Sequence, residues 1–468
     1  MNTILKSQRG KDTLVDELYH QYHQNYTRNN LIYWECSQRK AKGCRARLIT
    51  KLRIQNYEIL RKISEHNHSA RKSEIVAKKA LSDLKDKAGT NGSSTRDLIT
   101  TCAASTDAAG RAELPALQTI SRNVRRWKRD DDLPSVSTGR NDFVIPDKFK
   151  TLDTGEKFLQ YDSGVEDPLR ILIFASSSGI EDLRRYRNWT TDGTFKATPR
   201  SFYQLYTIHI QLGGSSIPRI FALLPNKSEE VYTKVFLKVK ELVLETPLTV
   251  MSDFEKAAIN SIQTVFPTAT QTGCFFHFCQ SLYRKVVDLG LRERYHNDHN
   301  FNIAIRSMSA LAFLPADDVE SGYEDILEAW DIPEEFLNYF ELTYMGIVRG
   351  RGRNRRRGAP PFSIALWNVY DRVQNDMNRT NNSVEAFNNA FTKSNNLNHP
   401  DIWKLIHCLK KEECLSQTKR GQNESGEVVK TARRYKIINK NIARIVGSYD
   451  DDDKITYLKA IAHNLHCF

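Results

Sequence analysis

The 468-residue chain has no long apolar run, few cysteines and a minority of acidic residues. No stretch approaches the roughly 20 consecutive apolar residues that a transmembrane helix needs, so the sequence predicts no membrane-spanning helix. The opening MNTILKSQRGKD lacks an apolar core and therefore predicts no secretory signal peptide. Eight cysteines are too few for a disulfide scaffold, and four of them have close sequence relations with histidines. This pattern favours metal binding in a reducing compartment.

Basic residues outnumber acidic ones, 69 against 56, which gives a net charge of +13 and an isoelectric point near 9.2. Such an excess favours a polyanionic partner. Part of it lies in the first 70 residues, and two further basic clusters follow. They are Arg122, Arg125, Arg126, Lys128 and Arg129, and the run RGRGRNRRR at 349–357 with Arg355, Arg356 and Arg357. A solvated loop is an equally good interpretation of the last run alone, but the three clusters together indicate nucleic acid.

Two cysteines and two histidines near the N-terminus have the spacing of a metal site. Seven residues separate Cys36 from Cys44, and one separates His66 from His68. Two thiolates and two imidazoles form a closed tetrahedral zinc site of the structural kind. The intervening ARLITKLRIQNYEILRKI predicts two strands joined by a turn, so a small sheet would depend on zinc to fold. A disulfide between the two cysteines is the alternative.

Residues 7–68 resemble a FLYWCH-type zinc finger. The aromatic segment that names this finger is present in variant form as LIYW at 31–34, followed by Cys36 after one inserted residue. The resemblance implies zinc on the same four ligands and a role in binding DNA or protein. It also implies a transposase context, because FLYWCH-type fingers occur at the N-terminus of Mutator-like transposases.

Three acidic residues lie in three different local settings: Asp192 in WTTDGTFK, Asp253 in VMSDFEKA and Glu385 in RTNNSVEAF. Each aspartate follows an apolar or β-favouring run, which predicts that both carboxylates project from strand ends. Glu385 begins a segment with apolar residues at helical spacing. Three carboxylates brought together in this way can hold two metal ions for phosphoryl transfer.

From about Trp189 to about Phe391 the chain resembles the catalytic domain of Mutator-like (MULE) transposases. The resemblance is carried by DGTFK at 192–196, the run 203–211, LLP at 223–225, SDFEKA at 252–257, CFFH at 274–277, and WNVY followed by RTNNSVEAF at 367–387. It implies an α/β core of the ribonuclease H-like type, whose strand–strand–strand–helix–strand order would put Asp192 and Asp253 on neighbouring strands. It further implies that Asp192, Asp253 and Glu385 hold two Mg²⁺ or Mn²⁺ ions and catalyse DNA strand cleavage and transfer.

The helix that carries Glu385 is predicted to place Asn381, Glu385 and Asn388 on one face. Cys274 and His277 form a Cys-x-x-His pair that is a feature of the MULE family, but two ligands do not complete a zinc site. The favoured interpretation is a core cysteine and a polar histidine near the cleft, with a direct role of His277 beside the metals as the alternative. A zinc site would need a further ligand from His296, His299 or Cys408.

The expected organisation has four parts: a FLYWCH-type finger at 1–70, a basic helical connector at 71–135, a catalytic domain at 150–395 with a helical insertion at about 290–370, and a helical C-terminal region at 396–468. In the connector, Leu117, Ile120, Val124 and Trp127 have the spacing of an amphipathic helix with a basic opposite face. A helix-turn-helix on DNA and a basic helix packed on the core explain this segment equally well.

In the catalytic region, GEKFLQYD at 155–162 is predicted as helix and LRILIFAS as strand. Strands are also expected at FYQLYTIHIQL, IPRIFALLP and PLTVMSD, with a turn at Gly213-Gly214. A helix is expected to begin after Ser228 as its N-cap.

The sequence therefore predicts a zinc-binding, nuclear DNA transposase of Mutator-like type that binds transposon ends and target DNA as a homo-oligomer. The alternative is a domesticated, non-catalytic FLYWCH protein that binds DNA for regulation. An intact acidic triad favours catalysis. A nuclease acting on RNA agrees with the fold alone but not with the family resemblance.

Overall fold

In a computed structural model, the described residues are 3–6, 12–53, 56–90, 94–127, 139–212, 215–349, 356–426 and 433–465. The chain divides into two compact units, Met1–Ser135 and Val136–Phe468. Among the described residues, no helix combines the length and the apolarity that crossing a membrane requires. A β-rich module followed by helices and an α/β region agrees with the coarse fold class that the sequence predicts.

The first unit begins with a six-stranded antiparallel sheet in which each strand pairs with the next along the chain. Its strands are β1 Thr3–Lys6, β2 Asp12–Val15, β3 Gln21–Arg28, β4 Leu31–Cys36, β5 Arg47–Arg53 and β6 Asn56–Ile63. Asn29 and Asn30, which join β3 to β4, both have positive φ (50° and 61°), as a two-residue type I′ hairpin turn requires. The predicted strand pair is confirmed as β5 and β6, and four strands that the sequence analysis did not predict precede it.

The inner face of this sheet is a small apolar core. Leu14, Tyr22, Trp34 and Leu48 are almost fully buried there beside two cysteines. The Trp34 indole donates to the Thr50 hydroxyl at 2.8 Å, so the ring is buried without an unpaired N–H. A core this small leaves much of the stability of the sheet to other interactions.

Helices form the rest of the first unit: α1 Arg39–Lys42, α2 Lys72–Thr90, α3 Thr95–Ala104, α4 Ala108–Ala112 and α5 Leu117–Trp127. In α5, Ile120 and Val124 are buried against α2 and α3, whereas Leu117 is 64% exposed. The prediction of Leu117 on the buried stripe is therefore wrong, because this residue opens the helix before its packed turn begins.

The second unit contains a seven-stranded mixed sheet in the order β13-β12-β9-β10-β11-β8-β7. The strands are β7 Leu159–Asp162, β8 Leu172–Phe174, β9 Asn188–Thr194, β10 Gln204–Leu212, β11 Ser215–Leu224, β12 Thr249–Ser252 and β13 Thr270–Gly273. β9 is antiparallel to β10 and parallel to β12, and β12 is parallel to β13. The prediction of a helix at 155–162 is wrong, because this segment extends the sheet as β7 beside β8. The turn predicted at Gly213-Gly214 lies outside the described residues.

Helices cover the two faces of this sheet. Apolar side chains of one face pack against α7 Ser177–Arg185, α8 Glu229–Val243 and α9 Lys256–Val265. The predicted start of α8 is confirmed, since the Ser228 hydroxyl accepts from the Val231 N–H as an N-cap. The opposite face receives α17 Asn382–Ser394 on β9 and β11, and α18 Ile402–Glu424 on β11. Asp192 of β9 and Asp253, which follows β12, lie on the face that α17 covers.

The region between β13 and α17 is mainly helical, as the sequence predicts. It comprises α10 Phe275–Asp288, α11 Arg292–Asn297, α12 His299–Ala310, α13 Val319–Ala329, α14 Glu334–Phe340, α15 Ile364–Trp367 and α16 Tyr370–Gln374, with a short hairpin of β14 Val348–Arg349 and β15 Arg356–Arg357. The C-terminal helices α19 Arg433–Gly447 and α20 Lys454–Asn464 pack into the same apolar cluster. Short helix α6 Asp147–Lys150 contacts α18.

A buried ion cluster ties α18 to the sheet. Arg219 on β11 is fully buried and lies 2.8 Å from Asp182 of α7 and 3.4 Å from Glu413 of α18. Burial raises the pKa of both carboxyls, and the neighbouring Arg219 opposes this shift. The Ser176 hydroxyl donates to Glu413 at 2.6 Å. Arg420 of α18 lies 3.2 Å from Asp182, so loss of Arg219 would deprive Glu413 of its buried cation but leave Asp182 with one.

Candidate metal centres

The first centre lies at one end of the six-stranded sheet. Cys36 ends β4, Cys44 follows the turn after α1, and His66 and His68 follow β6. Gly43 makes that turn possible with a φ of 63°, in the left-handed region that favours glycine. One ligand atom from each of the four residues lies within 4.8 Å of all the others. The sulfur atoms are therefore available together with two imidazole nitrogens, and no disulfide joins the cysteines.

The distances between these atoms test whether zinc fits. Tetrahedral zinc, with bonds of about 2.3 Å to sulfur and about 2.0 Å to nitrogen, places sulfur about 3.5 Å from nitrogen and two nitrogens about 3.3 Å apart. Cys36 Sγ lies 3.2 Å from His68 Nε2, and Cys44 Sγ lies 3.4 Å from His66 Nδ1. His66 Nδ1 and His68 Nε2 are 3.3 Å apart. These three distances match those of a zinc tetrahedron, and all four atoms lie within 4.8 Å of one another.

Burial keeps Cys36 and His66 neutral when no cation is bound. It raises the pKa of the Cys36 thiol to about 11 and lowers the pKa of His66 to about 4. His66 is therefore neutral near pH 7 and has a lone pair to offer. The thiol would lose its proton only when a cation compensates the charge, so zinc binding releases protons here.

The second centre is a cleft at the α17 face of the mixed sheet. Asp192 belongs to β9, Asp253 directly follows β12, and Glu385 lies in the first turn of α17. The register pairs Thr190 of β9 with Met251 of β12, so the two aspartates lie on neighbouring parallel strands, two residues further along each. The three predicted acids converge on one cleft although they come from distant parts of the chain.

One face of α17 holds the cleft together. Asn381, just before the helix, donates from Nδ2 to Asp253 Oδ1 at 2.9 Å, and Asn388 donates from Nδ2 to Asp192 Oδ2 at 2.7 Å. Glu385 lies between these two asparagines along the helix. In the described part of the chain, the buried Oδ1 of Asn388 accepts no hydrogen bond. The predicted face of the helix therefore contacts both aspartates and offers one further unpaired oxygen.

His277 of α10 bridges two of the acids. Its Nδ1 lies 2.7 Å from Asp253 Oδ1, and its Nε2 lies 3.1 Å from Glu385 Oε1. Burial alone lowers the pKa of His277, but interactions with Asp253, Cys274 and Glu385 outweigh burial and raise it to about 12. The imidazole is thus a cation between two carboxylates, which indicates that the acids create a place for positive charge.

Asp192 is half-buried, as are the other two acids. Burial, followed by repulsion from Asp253, raises the pKa of Asp192 to about 7. Such a shift marks a carboxylate that lacks a full positive partner. The cleft therefore has one carboxyl group that His277 does not neutralise.

Cys274 is fully buried and contacts α17 rather than a metal set of four residues. Its thiol donates to Asn381 Oδ1 at 2.9 Å. Among the described residues, Asp253, Cys274 and His277 form a group whose ligand atoms lie within 4.8 Å of one another, whereas the predicted acidic triad does not form such a group. His296 contacts Tyr283 and His299 stacks on His463, and within the described ranges neither joins Cys274 or His277 in a metal-binding set. Cys408 is likewise absent from that set.

The predicted DNA-contacting residues have different surroundings. Arg122, Arg125 and Arg126 of α5 are exposed, on the side opposite the buried Ile120 and Val124. Arg356 is also exposed. Lys128, Arg129 and Arg355 lie outside the described residues.

Arg357 has partners within its own unit. Its guanidinium lies 2.7 Å from Glu320 and 3.6 Å from Glu341, donates to the Gly346 carbonyl at 3.0 Å, and lies over the Tyr323 ring. The side chain is only 13% exposed. These contacts favour a structural role for Arg357, and the sequence had no signal for them because its partners come from two other elements.

Comparison with protein-family models gives two matches. The FLYWCH zinc finger domain matches residues 4–68, which include the four zinc-ligand candidates. The MULE transposase domain matches residues 188–281, which include Asp192, Asp253, Cys274 and His277. The chain combines a FLYWCH zinc finger with a MULE transposase domain. A search of curated proteins found no significant match.

The two matches support the resemblance and place its parts along the chain. The MULE match ends before α17, so Glu385 lies outside it, and the link of Glu385 to this domain rests on the contacts of α17 with the cleft. The finger match together with the Cys₂His₂ cluster supports zinc as its metal. Sequence reasoning did not assign contacts to Asn381 and Asn388, although it placed both on the face of Glu385.

Proposed function

We propose that the protein is a DNA transposase of Mutator-like type that binds transposon ends and cuts and joins DNA strands in the acidic cleft. The proposal rests chiefly on α17, whose polar face contacts Asp192, Asp253 and His277 through Asn388, Asn381 and Glu385. A surface helix with a solvated glutamate would have no reason to make all three contacts. The MULE match over the same strands supplies the class of reaction.

The strand order supports a ribonuclease H-like core. The five strands β11-β10-β9-β12-β13 form three antiparallel strands followed by two parallel ones, with α8 between β11 and β12. In this arrangement the first strand, β9, lies in the middle and carries one acid, and the next acid directly follows its parallel neighbour β12. The Glu385 helix then lies across the same face, which brings the third acid to the cleft.

Oxygen donors in the cleft suit Mg²⁺ or Mn²⁺. Asp192, Asp253 and Glu385 would hold the ions, and the unpaired Oδ1 of Asn388 adds an oxygen beside Asp192. His277 lies as a cation between Asp253 and Glu385, so this part of the cleft favours positive charge. When bound, two divalent ions activate water or a 3′-hydroxyl and stabilise the leaving oxygen of an in-line displacement.

The side chains of the chain itself orient and neutralise the cleft. Asn381 and Asn388 fix the rotamers of the two aspartates, so that both carboxylates face α17 before any ligand arrives. The His277 ring lies with Nε2 near Glu385 and Nδ1 near Asp253, so its positive charge offsets the two carboxylates. Cys274 anchors Asn381 from behind through its thiol.

The basic residues and the finger would hold the nucleic acid. Arg122, Arg125 and Arg126 form an exposed basic surface on α5, which fits the phosphate backbone of double-stranded DNA. Pairing two transposon ends requires a homo-oligomer, and an enzyme of chromosomal DNA would act in the nucleus. A domesticated, non-catalytic FLYWCH protein is the second candidate, favoured by the finger match alone.

Strand cleavage tests the proposal directly. Purified zinc-loaded protein is incubated with labelled transposon-end DNA, taken from sequence flanking the gene, in Mg²⁺ or Mn²⁺. We expect nicking by the wild type, none by Asp253→Ala, and wild-type nicking by Asp288→Ala, which removes an exposed acid at the end of α10. DNA binding without nicking in either ion would favour the domesticated binding protein.

A further inference from the structure

The two zinc-ligand histidines present different ring nitrogens to the metal position. His66 faces the cluster with Nδ1, whereas His68 faces it with Nε2. The other nitrogen of each ring must then carry a proton and find an acceptor. His68 Nδ1 lies 3.1 Å from the carbonyl of the next residue, Ser69, so its tautomer is fixed locally. His66 has no such neighbour and uses a longer chain of contacts.

We infer that Asp16 and Tyr22 position His66 for zinc through a hydrogen-bond relay. The Tyr22 hydroxyl lies 2.6 Å from His66 Nε2 and 3.1 Å from Asp16 Oδ2. A carboxylate at Asp16 can only accept, so the hydroxyl donates to Asp16 and must accept from His66. The proton of His66 is thereby held at Nε2, and the Nδ1 lone pair points at the zinc position.

Burial makes this relay specific. Tyr22 is 3% exposed and Asp16 is 5% exposed, so water has little access to the hydroxyl or the carboxylate. The His20 ring stacks on His66 with centroids 3.6 Å apart, which limits rotation of the imidazole from one side. Together these contacts hold both the orientation and the tautomer of the ligand.

Asp16 also accepts hydrogen bonds from the backbone, and an asparagine at this position could not make all of these contacts. Its Oδ1 accepts from the backbone N–H groups of Leu18 and His20, in the turn between β2 and β3. Both carboxylate oxygens therefore act as acceptors, one for the turn and one for Tyr22. An asparagine can provide only one acceptor oxygen, and its NH₂ group must oppose either the turn or the tyrosine hydroxyl. If it donates to Tyr22, the hydroxyl is driven to donate to His66 Nε2, which moves the imidazole proton to Nδ1 and blocks zinc.

Zinc affinity of the full-length protein tests the relay without DNA or catalysis, so its failure is distinct from failure of the proposed function. A chromophoric chelator competes for zinc, and circular dichroism of the zinc-loaded protein confirms folding of each variant. We expect Tyr22→Phe to weaken zinc binding about 10-fold, within the range of about 10–100-fold that outer contacts of metal ligands contribute. Asp16→Asn should weaken it more. Tyr26→Phe, at a half-exposed tyrosine that stacks on Tyr33, is the matched control and should bind as the wild type.

The double variant Asp16→Asn/Tyr22→Phe separates the relay from the turn. Without the hydroxyl, asparagine cannot impose the wrong tautomer, so the double variant should bind zinc as well as Tyr22→Phe and better than Asp16→Asn. Nitrogen NMR of the His66 ring should show its proton at Nε2 in the zinc-loaded wild type. Wild-type zinc affinity in Tyr22→Phe, or a double variant no better than Asp16→Asn, would overturn the relay and leave Asp16 as a residue of the turn alone.

Discussion

The zinc cluster and the acidic cleft both bring together groups that can bind cations, but the chain builds them in opposite ways. The zinc ligands Cys36 and His68 are only 32 residues apart, and a small sheet surrounds them. The cleft joins Asp192 to Asn388 across 196 residues, on a sheet with a large apolar core. We therefore expect the finger to depend on its metal to fold, whereas packing of the sheet and helices forms the cleft and orients its side chains.

Removal of zinc should give the largest difference in stability between the finger and the cleft region. Structural zinc contributes on the order of 10 kcal/mol to the folding of small fingers, more than the apolar core around Trp34 can replace. We expect a chelator to abolish hydrogen-exchange protection in β4 and β5 and to leave β10 and β12 unchanged. Addition of zinc should restore the lost protection. Persistent protection of β4 after complete zinc removal would contradict this dependence.

Loss of the buried Arg219 cation should destabilise the second unit and leave the finger unchanged. Arg219→Met removes the buried cation beside Glu413 and leaves Asp182 with Arg420, 3.2 Å away, which should lower the free energy of unfolding of the second unit by about 3–5 kcal/mol. Urea unfolding followed by hydrogen exchange measures the effect, with no change expected in the zinc finger. Arg185→Met is the control, since Arg185 is exposed and 3.9 Å from Glu424, and exposed pairs contribute about 0–1 kcal/mol. Equal effects of the two variants would show that the Arg219 ion cluster does not stabilise the packing of α18 on the sheet.

The asparagines of α17 test whether the cleft is oriented in advance. Asn388→Ala removes the donor to Asp192, and we expect Mn²⁺-dependent strand cleavage to fall about 10–100-fold with little change in stability. Asn389→Ala, at the exposed neighbouring position, should cleave as the wild type. Mn²⁺ affinity measured by electron paramagnetic resonance should weaken only in the first variant. If both variants cleave equally, Asn388 has no part in orienting the acid.

A smaller effect concerns pH. The pKa of Asp192 is raised to about 7 in the folded protein without metal, above its ordinary value near 3.8. Between these values the unfolded chain has released the proton while the folded chain keeps it, so stability falls as pH rises from 4 to 7. The raised pKa of His277 affects stability only above about 6.5, where the unfolded imidazole loses its proton.

Asp192→Asn isolates that contribution. We expect it to stabilise the metal-free second unit at pH 7 by about 1–3 kcal/mol relative to the wild type, and by much less at pH 4. Thermal unfolding at the two pH values measures the difference. A variant that stabilises equally at both values would indicate that ionisation of Asp192 is not the cause. The finger should show no such dependence on residue 192.

Local patterns predicted the zinc cluster and several of the strands and helices well. Cys36, Cys44, His66 and His68 were assigned from spacing and residue type, and the structure brings their ligand atoms together. The N-cap at Ser228 and the strands at β10, β11 and β12 were equally readable, because alternation and capping depend on neighbouring residues. Short segments with mixed signals were misread, as at β7, where pairing with β8 overrides the apparent helical pattern.

Contacts between distant residues were beyond such patterns. The sequence supplied the three acids and their local settings, but not His277 between Asp253 and Glu385, nor the engagement of Arg357 by Glu320 and Glu341. Each of these contacts joins different elements, whose relative position follows from how the apolar faces pack.

By itself the sequence determined which groups could bind a cation and which elements carry them, since ligand chemistry and secondary-structure periodicity are properties of short segments. The tertiary structure alone decided what surrounds those groups: the Asp16–Tyr22 relay behind His66, and the asparagines beside Asp192 and Asp253. The physical reason is that protonation, orientation and local charge depend on neighbours in space, and these become neighbours only when the sheets and helices pack.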